Sequence, residues 1–159
     1  MGLAVKVSPP SLAPVVVMNE GAKVIRRRFS YKDFQAASTT SNDDSIVLPG
    51  GCRIVKVWIS LITAFSGGSV SACTLSLGTT GSAATYLGAT NVFTGATAGG
   101  AVTIGAGAGL GNFAGGNATP NALGTVRAQI LTTTANASAL TAGKVDVFIE
   151  VMAVDTRTA

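Results

Sequence analysis

The feature that most constrains this chain is a long stretch, residues 57–126, that contains no charged side chain. Over the whole chain 47% of residues are hydrophobic and only 11% are charged, whereas an ordinary globular domain is about 25% charged. The apolar residues are largely alanine and valine, with glycine, serine and threonine between them. The β-branched side chains among these, valine and threonine, favour pleated sheets over helices. The composition therefore predicts an all-β protein.

Alternation of apolar and polar residues predicts where the strands lie. The predicted strands cover residues 24–34, 52–65, 70–77, 125–133 and 144–154. Because only four residues, Ser-Gly-Gly-Ser at 66–69, separate the second strand from the third, these two are expected to pair as a hairpin. In the second strand, Ile54, Lys56 and Trp58 are predicted to share one face. No helical pattern exceeds a turn or two, and the chain is predicted to form a jelly-roll-like β-sandwich.

The chain is predicted to divide into an extended N-terminal arm, residues 1–23, and a β-sandwich domain, residues 24–159. Proline lacks a backbone donor and fixes φ, so residues 8–14 cannot form a helix interior or a central strand. The three valines that follow would be an aggregation hazard if exposed, and the arm is therefore expected to lie across a neighbouring subunit.

The positive charge is concentrated in three consecutive arginines, Arg26, Arg27 and Arg28, with Lys23 and Lys32 on either side. A nucleic acid or a membrane surface could bind such a run by electrostatics. Because the sequence indicates neither aromatic stacking platforms nor a wider basic face, a solvated strand edge or a patch meeting an acidic protein neighbour is favoured. The residues predicted to contact a partner are Pro9, Pro10, Pro14, Val15, Val16, Val17, Arg26, Arg27 and Arg28.

No set of residues suited to catalysis is found in the sequence. The chain has no histidine, which removes the usual general base and a common metal ligand. Asp43 and Asp44 could contribute to a calcium site. Asp146 and Glu150 lie about 13 Å apart along a strand, too far for a glycosidase pair, and are expected on an outer face paired with Lys144. We expect no enzyme activity, cofactor, metal or small-molecule substrate.

Two cysteines and five aromatic residues leave alternatives open. Cys52 and Cys73 could form a disulfide if their strands pair with the right offset, but two buried reduced thiols are favoured. The aromatic residues could line a sugar site, although core packing is favoured. They are Phe29, Tyr31, Trp58, Phe65 and Phe148. Neither a signal-peptide pattern nor a run of about 20 apolar residues is present, and the protein is expected to be soluble and made in the cytoplasm.

One part of the chain resembles a known family. Leu-Pro-Gly-Gly at 48–51 leads into a long strand, Thr-Ala-Phe-Ser-Gly-Gly follows at 63–68, and the next strand ends in Leu-Gly-Thr at 77–79. This pattern, with the Gly/Ala/Thr/Asn-rich centre and the closing Val-Asp-Val-Phe-Ile-Glu-Val at 145–151, is similar to small virion proteins of tailed bacteriophages. The resemblance covers residues 24–154 and has no catalytic or ligand motif to carry over.

The resemblance implies a capsid cement or decoration protein with a jelly-roll-like sandwich. Such a protein would be a homo-oligomer, expected to be a trimer, on the capsid surface of a virion assembled in the host cytoplasm. Its arm would reach over neighbouring subunits of the major capsid protein. The alternatives are a phage tail, neck or fibre component and a carbohydrate-binding or adhesive module.

Overall fold

The computed structural model describes residues 23–49, 52–94, 102–104 and 124–153; at 52, 53, 102–104 and 153 it describes the backbone alone. Residues 1–22, which hold the predicted arm and its partner-contact prolines and valines, lie outside these ranges, as do the glycine-rich residues 105–116. Lys23, the last residue of the predicted arm, is the first residue of a strand.

The described residues form eight β-strands, two short 3₁₀ turns (Tyr31–Asp33 and Ala137–Ala139) and no α-helix. The strands are β1 (Lys23–Ser30), β2 (Thr40–Val47), β3 (Cys52–Ser66), β4 (Ala72–Gly78), β5 (Leu87–Asn91), β6 (Val102–Ile104), β7 (Thr125–Thr133) and β8 (Ala142–Ala153). The all-β prediction is therefore confirmed for this part of the chain.

The strands form two antiparallel four-stranded sheets. Sheet A has the order β1-β8-β3-β6, and sheet B has the order β2-β7-β4-β5. Every neighbouring pair within the two sheets is antiparallel. Among the described strands, only β4 and β5 are both consecutive in the chain and paired with each other. Nearly all of the pairing is therefore long-range in sequence.

The inward residues of both sheets contribute to one hydrophobic core. Strand β7 follows the predicted alternation, because every second residue is buried while its neighbours are at least partly exposed. The same holds from Val145 to Val151 in β8 apart from Asp146, which is buried beneath two arginines. From β8, for example, Val145, Val147 and Ile149 are buried. Burying aliphatic side chains of this size stabilises a fold by about 1.5–3 kcal/mol each. The core therefore lies between the two sheets.

The predicted hairpin between β3 and β4 is wrong. β3 pairs with β8 and β6 in sheet A, whereas β4 pairs with β7 and β5 in sheet B. The chain crosses between the sheets after Ser66 through Gly67 and Gly68, whose φ angles of +145° and +51° favour glycine. Cys73 is buried on β4 with a free thiol, and burial raises its pKa to about 12. The side chain of Cys52 lies outside the described residues.

The predicted strand over residues 24–34 ends earlier, at Ser30. The Asp33 carboxylate accepts hydrogen bonds from the Ser30 backbone N–H (2.7 Å) and the Ser30 hydroxyl (2.9 Å). This local contact begins the 3₁₀ turn and ends the strand, as a capping box does at the start of a helix. The turn brings Phe34 into the core, where it is 0% exposed and packs between Phe29 and Phe65.

A β-bulge in β3 changes which side chains face the core. From Ile54 to Lys56 the pairing advances two residues along β3 but only one along β8, so that Val55 is the extra residue. The bulge leaves Ile54 facing inward, 7% exposed, and Val55 38% exposed. The prediction that Ile54 shares a face with Trp58 is therefore wrong, because the strand is not regular between them.

Candidate binding surface

The outer face of sheet A brings six charged side chains and two aromatic ones together on one surface. In β8 the alternate residues between the buried valines point away from the core, and their register partners on β1 and β3 lie beside them. We define this surface as the outer face of sheet A. Its members are Val24, Arg26, Arg28, Ser30, Lys56, Trp58, Ser60, Lys144, Asp146, Phe148 and Glu150.

The three predicted contact arginines do not lie on one surface. Arg26 and Arg28 belong to the outer face of sheet A, whereas Arg27 points to the other side of β1. There its guanidinium lies 5.4 Å from the ring centroid of Phe29, a core residue. All three remain exposed, but only Arg26 and Arg28 act together.

Asp146 binds both of these arginines. Arg28 donates from Nε to Oδ1 at 2.7 Å and from Nη2 to Oδ2 at 2.9 Å. Arg26 donates from Nε to Oδ2 at 3.1 Å and also pairs through Nη2 with Oδ2. The Asp146 side chain is only 4% exposed, whereas the arginine side chains are 52% and 50% exposed. The prediction that Lys144 is the partner of Asp146 is wrong, because β1 supplies both cations from the neighbouring strand.

The hydrogen bonds between Asp146 and the arginines lower the pKa of Asp146 and raise the pKa of Arg28. The pKa of Asp146 is held below its ordinary value, first by the hydrogen bonds from Arg28 and then by those from Arg26. Burial acts against this shift by disfavouring the charged carboxylate. The pKa of Arg28 is raised by its hydrogen bonds to Asp146. The Asp146 carboxylate is therefore ionised at neutral pH, and this one buried group holds two guanidiniums in place.

We expect Asp146→Asn to destabilise the protein by about 1–2 kcal/mol at about pH 7, with the partial exposure of the arginines reducing the loss. A carboxyl group whose folded pKa is lowered stabilises above its unfolded pKa, about 3.9, and loses that contribution as the pH falls through the folded pKa. The variant lacks this contribution at every pH. The difference in unfolding free energy from the wild type should therefore shrink below about pH 4.

Urea unfolding at about pH 7 and about pH 3, followed by Trp58 fluorescence, measures this difference. Glu150→Gln is the matched control, since it removes the same charge from the same strand and face. It should change stability by less than about 0.5 kcal/mol. An Asp146→Asn variant with a pH-independent deficit, or with no deficit at all, would contradict the role given to the carboxylate.

An aromatic pair lies beside this charge cluster. The rings of Trp58 on β3 and Phe148 on β8 stack with centroids 5.3 Å apart and planes at 6°. The Arg26 guanidinium lies 5.8 Å from the Phe148 centroid, and Lys56 Nζ lies 5.2 Å from the Trp58 ring. These distances fall within the range of cation–π attraction. A row of cation, ring, ring and cation therefore crosses the face from β1 to β3.

The sequence favours core packing for all five aromatic residues, but the structure divides them into two groups. Phe29 and Phe65 lie in the core, and Tyr31 packs against its edge. Trp58 and Phe148 lie on the outer face and are partly exposed. Side chains in these two strands point alternately to the two faces of the sheet, but the sequence alone does not show which face packs against the opposite sheet. The register of β8 against β3, which places Trp58 opposite Phe148, is the information that sequence reasoning lacked.

Asp43 and Asp44 are both engaged in contacts within the fold. Asp43 Oδ1 accepts a hydrogen bond from the Ser45 backbone N–H at 2.8 Å. Asp44 forms a two-point ion pair with Arg127 on β7, with both distances 2.7 Å, and the pKa of Asp44 is lowered mainly by these hydrogen bonds. Across the residues described, no three side chains of the types His, Cys, Asp or Glu are grouped so that they could hold a metal ion. Among the described residues, Asp43 and Asp44 therefore have no third side chain of these types beside them with which to bind calcium.

Comparison with known proteins identifies no relative: no family model matches the chain, and neither a curated protein nor a solved structure does so at a significant level. Within the described ranges there is also no helix with the length and apolar character needed to span a membrane.

Proposed function

We propose that this protein is a non-enzymatic structural component of a virion, a capsid cement or decoration protein that acts by binding neighbouring subunits. The observation that carries the proposal is the order of the strands. A chain folded back on itself as one long ribbon pairs its strands as 1 with 8, 2 with 7, 3 with 6 and 4 with 5, and rolling that ribbon produces a jelly roll. These four pairs are all present.

The order of the strands within each sheet also supports a jelly roll. Rolling the ribbon places strands 1, 8, 3 and 6 in one sheet and strands 2, 7, 4 and 5 in the other, and the two sheets have these orders. We infer an eight-stranded jelly roll, an architecture found in viral capsid proteins, lectins and cupins. Because a fold does not determine a function by itself, the resemblance of residues 46–81 to phage virion proteins supports the choice among these classes.

The chemistry of the described side chains favours binding over catalysis. Asp44 and Asp146 are paired with arginines, and Asp33 and Asp43 accept hydrogen bonds from their own loop or strand. A general acid or base needs a proton that it can exchange near neutral pH, and the two arginine-paired carboxylates are instead held ionised. The exposed arginines, by contrast, can contact another molecule without any chemical step.

Localisation in the particle tests the proposal. Particles released from cells that carry the gene in its native genome would be purified, and the chain would be located by electron microscopy with a specific antibody. We expect labelling over the whole shell, with the protein present in many copies. Absence of the chain from intact particles would overturn the proposal, and labelling confined to one vertex or to the tail would replace it with a tail, neck or fibre component.

A carbohydrate-binding module is the second candidate, because Trp58 is partly exposed and jelly rolls include lectins. A sugar ring packs on an open aromatic face, but here Phe148 lies between Arg26 and Trp58, and Lys56 lies over the Trp58 ring. The rings therefore favour a charged partner over a sugar. A glycan array with specific hits that are lost in Trp58→Ala would support the second candidate instead.

A further inference from the structure

We propose that the outer face of sheet A is a docking surface for an acidic protein surface, with Arg26 and Arg28 as the residues that bind the partner's carboxylates. The inference deepens the proposed function by naming the face and the chemistry of its partner. It concerns a surface of the isolated chain, and its test does not depend on where the protein lies in a particle.

The distribution of charge is the first argument. Four basic side chains, from Arg26, Arg28, Lys56 and Lys144, share the outer face of sheet A with two acidic ones, from Asp146 and Glu150. On sheet B the basic side chain described is Arg127, and it is paired with Asp44. The two sides of the molecule therefore differ in charge, and the excess positive charge lies on sheet A. Complementary potentials favour association with an acidic partner at this side.

The geometry of the arginines is the second argument. Each guanidinium uses Nε and Nη2 on Asp146, and neither Nη1 donates a hydrogen bond to Asp146. Both side chains are about half exposed, at 52% and 50%. Asp146 thus holds two guanidiniums in a fixed geometry, so little conformational entropy remains to be lost when a carboxylate binds the free edge. Arginine and tryptophan are also the residues most enriched among binding hot spots.

The aromatic pair distinguishes a protein partner from a nucleic acid. Single-stranded nucleic acids bind through bases that stack on open aromatic faces. Phe148 has Arg26 on one side and Trp58 on the other, and Lys56 lies over the Trp58 ring. Each ring therefore already has the other ring and a cation beside it, which disfavours the stacking of a base. Carboxylates on a folded protein need only the exposed guanidinium edges, and Val24, 49% exposed beside them, adds apolar contact.

The test uses a short polyglutamate peptide, a single-stranded oligonucleotide of the same net charge and the full chain at low ionic strength. Trp58 is the only tryptophan of the chain and lies within the surface, so its fluorescence reports binding directly. We expect the peptide to bind and the oligonucleotide to bind more weakly. Arg28→Gln should weaken peptide binding by about tenfold, and Lys144→Gln, at the exposed edge of the face, by roughly two- to fivefold.

Arg127→Gln is the matched control, because it removes one positive charge from sheet B and should change peptide affinity by less than about twofold. Arg28→Gln could lower binding simply by unfolding the protein, because Arg28 is part of the Asp146 cluster. Lys144→Gln tests the same face without this risk, since Lys144 is exposed and has no role in that cluster. If all three variants weakened peptide binding equally, the binding would depend only on the net charge of the protein, and the proposal of a docking surface would be wrong. Tighter binding of the oligonucleotide, or no peptide binding at all, would also overturn it.

Discussion

Replacing Gly143 by alanine should destabilise the fold by about 3 kcal/mol or more, because it combines backbone strain with overpacking. Gly143 has a φ of +142°, a conformation that L residues rarely adopt. A Cβ added there would overlap Cδ1 and Cγ of the Phe65 ring and lie 2.8 Å from its Cε1. The ring cannot easily move, since Phe65 is 0% exposed and its backbone N–H donates to Val92 O at 2.7 Å.

Urea or thermal unfolding of the full chain measures this loss. Gly88→Ala is the control, because an added Cβ at Gly88 meets no atom within 4 Å, and it should change stability by less than about 1 kcal/mol. Combining Gly143→Ala with Phe65→Ala should cost less than the sum of the two single changes, since removal of the ring relieves the overlap. Equal midpoints for Gly143→Ala and Gly88→Ala would show that the close packing against Phe65 is not present.

Replacing Phe34 by alanine should cost about 3–5 kcal/mol, the usual range for deleting a buried aromatic ring. Phe34 is 0% exposed and lies 5.4 Å from Phe29 and 6.4 Å from Phe65 between ring centroids. Aromatic pairs of this geometry add about 0.5–1.5 kcal/mol to the effect of burial. The three rings pack together in the core beside the turn after β1, so deleting the middle ring leaves a cavity there.

Phe148→Ala is the control for this prediction, because it makes the same deletion on the partly exposed outer face of sheet A. We expect it to cost about 1 kcal/mol, mainly through the lost stacking with Trp58. Unfolding free energies from urea titration compare the two variants at one temperature. If Phe148→Ala cost as much as Phe34→Ala, the division between core and outer-face aromatics would be wrong.

The strands β7 and β8 show how far sequence reasoning extends. Each has an apolar residue at every second position, and the structure buries those residues. The all-β class follows from the same alternation together with the small, β-branched composition. These properties depend on the local chain, because a strand with one apolar face must bury it whatever its neighbours are.

At the turn after β1, the alternation of residues did not predict where the strand ends. Alternation extends the strand through Phe34, but the Asp33 carboxylate binds the Ser30 backbone and ends it. Ser30 and Asp33 have the spacing of a capping box, so a signal was present in the sequence. Its use at the end of a strand, which turns Phe34 into the core, could not be recognised without the fold.

The residues of the outer face of sheet A are brought together almost entirely by pairing between strands that are distant in the sequence. Arg28 and Asp146 are 118 positions apart in the chain, and no local pattern connects them. Trp58 meets Phe148 only because β3 and β8 are neighbours in sheet A. The sequence indicated a basic run and a set of aromatic residues, but it placed the aromatics in the core and paired Asp146 with Lys144.

By itself, the sequence determined the strand-forming character of the described chain and the inward faces of its regular strands, since both depend on residues two positions apart. Only the tertiary structure decided which sheet each strand joins, where β3 bulges at Val55 and which side chains meet across strands. β3 and β4 are separated by a short connection, yet they belong to different sheets. Sheet membership is set by pairing partners far along the chain and by burial against the opposite sheet, and a local pattern contains neither.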